Sequence, residues 1–148
     1  MEHIAFKNNL YEQINGRKWE AAMDVKVPAD KSYLMSLPVE KIVGMSKSYF
    51  KEKQKLILQF AKKKDGEPIE TAGGGYQLAD PIAFQEELEK LQDVDNKLGA
   101  QKIVIKMESI MELNPNGVAP AAMGILLTFL DVRMPDEPQE EDKGKSKK

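Results

Sequence analysis

The chemistry open to this chain is bounded first by what it lacks. Its 148 residues include one histidine, His3, and no cysteine. Without thiols there is no disulfide framework, no thiolate metal site and no cysteine nucleophile. A lone histidine with no second ligand beside it points to neither a zinc site nor a histidine-based triad. Asp93, Asp95 and Asn96 match part of a calcium loop. Such a loop needs glycine at its sixth position and a bidentate glutamate at its twelfth; counted from Asp93 these are Leu98 and Val104. The pairs Glu86-Glu87 and Glu140-Glu141 have no apolar setting that would raise a carboxyl pKa for acid catalysis, so both read as solvated. No catalytic residue, no metal ligand and no cofactor is expected.

Two motifs invite a phosphate reading. Gly73-Gly74-Gly75 is the first, but the next residues are Tyr76-Gln77-Leu78, and no Gly-Lys-Ser/Thr follows the glycines there. A phosphate loop places its glycines directly before a helix start, so the triple glycine reads as a hairpin tip. The second is a lysine face, Lys47, Lys51, Lys53 and Lys55 followed by Lys62, Lys63 and Lys64. Clustered cations make a nucleic-acid footprint. The chain has only two arginines, however, and Glu86, Glu87 and Glu89 on the following helix would partly neutralise the face. Nucleic acid therefore stands as the alternative partner. Trp19 is a core edge or an interface anchor, and Met107, Met111, Met123 and Met134 are adaptable apolar residues.

These residues need elements to hold them. Ile4 and Phe6 alternate with polar neighbours and read as a short strand. Asn8-Asn9 caps one or two helical turns carrying Leu10, Tyr11 and Ile14. Residues 19–27 mix strand and helix signals. Ser36-Leu37-Pro38 starts a long helix with Val39, Ile42, Val43, Tyr49, Phe50, Leu56, Ile57 and Phe60 on one stripe. Asp65-Gly66 stops it. Ile69 and Thr71 pair with Tyr76 and Leu78 around the glycines. Asp80-Pro81 opens a second helix with Phe84, Leu88, Leu91 and Leu98 on its apolar face, and Gly99 ends it. Ile103-Val104-Ile105 is a strand, and residues 108–115 are a connection. A last helix from Asn116 or Ala119, with Pro120 near its start, carries Met123, Leu126, Leu127 and Leu130 and is apolar nearly all round.

The expected fold is α+β. A long antiparallel helical hairpin with a β-hairpin at its tip packs on a small sheet made from the first strand and residues 103–106. The apolar last helix closes the core or an oligomer interface. Residues 1–134 are expected to form a single domain, and the apolar-poor, charged stretch 135–148 a disordered tail. Net charge is −2, and 41% of residues are apolar. No signal peptide and no membrane span are expected, since the longest apolar stretch, 118–130, is broken by Pro120, Gly124 and Thr128 and falls short of the ~20 residues a span needs.

The run from Asp65 and Gly66 through Pro68, Gly75, Tyr76, Leu78 and Asp80 to Phe84 carries a resemblance. Together with the order of elements over roughly residues 39–130, it resembles a family of small uncharacterised proteins from tailed bacteriophages. The resemblance implies a phage origin and a setting in the host cytoplasm or the virion. It assigns no activity, so no functional residue is carried over. The expected function is non-enzymatic, through protein contacts: a virion or assembly component, or an inhibitor of a host factor. Trp19, Met123, Leu126, Leu127 and Leu130 are the candidate partner or homo-oligomer interface.

Overall fold

In the computed structural model, which describes residues 2–135, the chain is mixed α+β. Its backbone groups into two compact units. Among the described residues, one gathers 2–4, Asn15–Val39 and 98–135; the other gathers Ala5–Ile14 and Glu40–Lys97. Strand β1 (His3–Lys7), helix α2 (Ala29–Phe60) and strand β4 (Asp95–Gln101) each run from one unit into the other.

The first unit holds α1 (Arg17–Asp24), β5 (Ile103–Lys106), α4 (Met107–Leu113), α5 (Pro120–Leu126) and β6 (Leu130–Arg133). Helix α1 packs on α5. Ala22 of α1 and Ala122 of α5 are both buried. Trp19 meets Phe129 edge-on at 6.2 Å, the arrangement that the ring quadrupole favours. Ile105, Ile110, Ile125, Leu126, Phe129 and Leu130 complete this core. Asn114 fastens it to the end of α1: its Oδ1 accepts from the Lys26 N–H at 3.0 Å and its Nδ2 donates to the Lys26 carbonyl at 2.7 Å.

The second unit contains the expected helical hairpin. The later part of α2 runs antiparallel to α3 (Pro81–Gln92). Phe60 packs against Phe84 at 6.1 Å at one end, while Tyr49, Lys53 and Gln92 meet on Glu12 at the other. Asp80 caps α3 as its type predicts, accepting from the Ala83 N–H at 3.0 Å. The excursion at the tip has two turns rather than one. Strands β2 (Lys63–Lys64) and β3 (Glu67–Pro68) pair around Asp65-Gly66, whose positive φ angles of 54° and 81° make the two-residue loop suited to strand twist. A second turn at the glycines brings Glu70 to Tyr76, and Ala61 bridges to Leu78.

Several boundaries differ from the sequence reading. Helix α2 begins at Ala29, not Ser36, and runs through Pro38. Proline in a helix interior removes one backbone bond, but buried Met35 and Ile42 on either side keep one continuous buried stripe. It ends at Phe60, so Lys62, Lys63 and Lys64 lie on the tip and not on a helix face. Residues 17–24 are helix, and 107–113 are helix where a connection was expected. The spacing of Leu91 and Leu98 suggested a helix to Gly99, yet α3 stops at Gln92 and the next residues pair with β1 as β4. Backbone bonds from Asn8 to Val94 and from Lys102 to Glu2 fix that ladder as antiparallel. Gly99, at φ +71°, accommodates the longer path of β4. Strand β5 therefore pairs not with β1 but, in parallel, with β6, Ile103 opposite Leu130 through Lys106 opposite Arg133. This pairing shortens the last helix: α5 ends at Leu126, and Phe129 and Leu130 belong to the following turn and strand. The expected tail lies, beyond Pro135, outside the described residues.

Candidate functional site

A polar cluster occupies the second unit where the 3-10 helix Asn8–Gln13 meets α2 and α3. The hydroxyl of buried Tyr49 donates to Glu12 Oε2, Lys53 Nζ bonds the same oxygen at 2.8 Å, and Gln92 Nε2 reaches it at 3.4 Å. Burial pushes the Tyr49 phenol up to about 12, with the Glu12 carboxylate adding to the rise. Burial also acts to raise Glu12, but its bonds from Lys53 and Tyr49 outweigh this and hold the carboxyl below its ordinary 4.5. The phenol is thus held protonated and the carboxyl ionised.

Beside the cluster, buried Asn8 donates through Nδ2 to the Leu91 carbonyl at 2.8 Å and accepts from Asn96 Nδ2 at 2.7 Å. A cleft of about 290 Å³ opens here, lined by Asn8, Tyr11, Met45, Ser48, Tyr49 and Asn96, with Glu52 and Leu91 at its sides.

None of these roles was assigned from sequence, although a signal existed. Lys53 sits four residues after Tyr49 and three before Leu56, on the apolar stripe itself, so its ammonium needed an anionic partner there. Asn8 read as a cap and Asn96 as part of a calcium loop. Asp93 and Asp95 in fact hold an ammonium, with Lys7 Nζ at 2.9 and 3.4 Å, and Asp93 raises the pKa of that lysine. Among the described residues no group of three or more His, Asp or Glu could hold a metal.

In the first unit the face to note is apolar. Tyr33, Leu34 and Leu37, in the opening turns of α2, are 65%, 44% and 52% exposed. Residues three and four apart share a helix face, so Leu37 joins the other two in one patch. The sequence reading placed its interface elsewhere. Of those residues, Trp19, Leu126 and Leu130 are buried in the unit's own core, Met123 is half-buried, and Leu127 is 43% exposed.

The lysines divide. Lys47, Lys51 and Lys55 are exposed on α2, and Lys62, Lys63 and Lys64 on the tip. Lys53 is turned to Glu12. Among the described residues, Lys55 pairs with Glu52 and Lys90 with Glu87 within their own helices. Gly73, Gly74 and Gly75 form an exposed turn closed by Thr71 and Gly75 backbone, and His3 is exposed on β1.

No family model, no curated protein and no solved structure matches the chain. No helix among the described residues is long and apolar enough to cross a membrane.

Proposed function

We propose that this is a non-enzymatic protein of phage origin that acts through protein contacts, as a virion or assembly component or as an inhibitor of a host factor. The observation that carries the contact is the patch of Tyr33, Leu34 and Leu37. Three large apolar side chains on one exposed helix face are costly to leave in water, and burying them gains roughly 25 cal/mol per Å². Aromatic anchors of this kind are typical of interface centres. The phage origin draws on the sequence resemblance, and the host cytoplasm or the virion follows from it. The protonation states at Glu12 and Tyr49 also favour binding over acid–base chemistry, since neither group exchanges a proton readily near neutral pH.

The simplest partner is a second copy of the chain, because a two-fold axis lets one patch cover another. Sedimentation velocity of the wild type across a concentration series is the test. A shift from monomer toward dimer by about 50 μM, a loading that populates a micromolar complex, is expected. A single monomer boundary throughout overturns self-association through this patch.

A further inference from the structure

Tyr11 carries a feature that its surroundings do not explain. The residue is only 2% exposed, with its ring against Phe6 at 5.5 Å and Tyr49 at 5.4 Å. Its hydroxyl nevertheless has no hydrogen-bond partner among the described residues. An unpaired hydroxyl sealed from water costs several kcal/mol by small-molecule scales, and this one is not sealed. Tyr11 is among the residues that line the cleft. The neighbouring Tyr49 shows the contrast, its hydroxyl being committed to Glu12.

A second free group lines the same cleft. The two bonds of Asn8, to Leu91 and from Asn96, fix the Asn96 amide through its nitrogen. Its carbonyl oxygen Oδ1 receives no donor among the described residues and is not sealed either. The cleft thus offers the Tyr11 phenol as a donor and the Asn96 amide as an acceptor, with the Ser48 hydroxyl at its rim, beside the Tyr49 ring, Met45 and Leu91. Among the described residues no lysine or arginine lines it, and the one charged side chain in its lining is Glu52, whose carboxylate is bonded to Lys55 at 3.1 Å. Anions, phosphates included, are therefore disfavoured.

We propose that this cleft binds a small uncharged planar ring with a carbonyl and an N–H adjacent on one edge, the chemistry of a pyrimidine base. Tyr11 donates to the ring carbonyl, the ring N–H donates to Asn96 Oδ1, and the ring face packs on the aromatic and thioether wall. The cleft volume accommodates one such ring. The same edge occurs in a free base and in a base of single-stranded nucleic acid. With no cation in the lining to hold a backbone, the free base is the source assigned. The proposal is independent of the contact at the head of α2.

The test is a ¹⁵N chemical-shift titration of the full chain with uracil, with benzoate as an anionic ring of similar size and with a short oligouridylate. Uracil is expected to give saturable shifts at Asn8, Tyr11 and Asn96 with a dissociation constant of about 1 mM or tighter, as befits a ligand of so few atoms. Benzoate should give none, and the oligouridylate should bind no tighter than uracil. Tyr11→Phe keeps the ring and removes the donor; it should weaken uracil about fivefold, the worth of one hydrogen bond. Ser48→Trp, at an exposed position on the rim, should abolish binding without touching the core. Absence of saturation by uracil to about 20 mM, far above the expected constant, overturns the site. So does equal binding of benzoate, or an unchanged Tyr11→Phe. Tighter binding of the oligouridylate overturns the free base as source.

Discussion

The two units solve opposite problems at their centres. The first closes on hydrocarbon: Trp19 and Phe129 interlock, Ile110, Leu126 and Leu130 fill in around them, and what it leaves over is an exposed apolar face on α2. The second buries polar side chains, Tyr49 and Asn8, against a half-exposed ion pair, and besides scattered exposed apolar residues such as Ile82 it leaves over polar groups, the Tyr11 hydroxyl and the Asn96 carbonyl. A surplus of apolar surface calls for another surface, whereas unpaired polar atoms in a cleft call for a small complementary ligand. The difference teaches that exposure alone does not locate function; the chemistry left unsatisfied does.

The largest effect should come from the hydrocarbon side. Phe129→Ala removes a fully buried ring and is expected to cost about 3–5 kcal/mol in urea unfolding. A cost under about 1 kcal/mol would mean that this core is not what holds the unit together.

Next comes the polar side. Glu12→Gln keeps one acceptor oxygen but removes the charge that Lys53 pairs with and that strengthens the bond from Tyr49, and should cost about 1 kcal/mol at neutral pH. The pH profile sharpens the point. The Glu12 carboxyl is held below its ordinary 4.5 in the folded chain. Its contribution is therefore fully present above that value and lost as pH falls through the lowered one. The variant should be flatter on the acid side than the wild type, and an identical acid limb would detach Glu12 from the cluster.

On the alkaline side the sign reverses. Tyr49 is raised from 10.0 to about 12, so its contribution is complete below pH 10 and lost between 10 and about 12. Tyr49→Phe should remove that alkaline loss. Persistence of the loss in Tyr49→Phe would place its origin elsewhere.

How much of this was legible follows the range of the interactions involved. The Asp80-Pro81 helix start, the strand of Ile4 and Phe6, and the β-branched Ile103–Ile105 strand are local signals, and all appear in the structure. Strand β4 was hidden because Leu98 continues the spacing of Leu91; its identity comes from pairing with β1, some ninety residues earlier in the chain. The all-round apolar character of residues 119–130 dissolves for the same reason. Its apolar residues belong to a short helix, a turn and a strand, and only the ladder with Ile103–Lys106 reveals the break. The Glu12 cluster joins residues 37 to 80 positions apart, and only the misplaced lysine on the α2 stripe hinted at it. The Asn114 clamp on Lys26 left no such hint.

The smallest expected effect on stability is the most informative for function. Leu37 and Leu127 are both exposed, one in the patch on α2 and the other just after α5. Replacing either with glutamate should change folding stability by no more than about 0.5 kcal/mol, as at other exposed sites. Sedimentation of the two folded variants beside the wild type then tests the contact directly. Leu37→Glu is expected to run as a monomer at concentrations where the wild type and Leu127→Glu run as dimers. A dimeric Leu37→Glu, or a Leu127→Glu that is monomeric in its place, would contradict the contact at the head of α2.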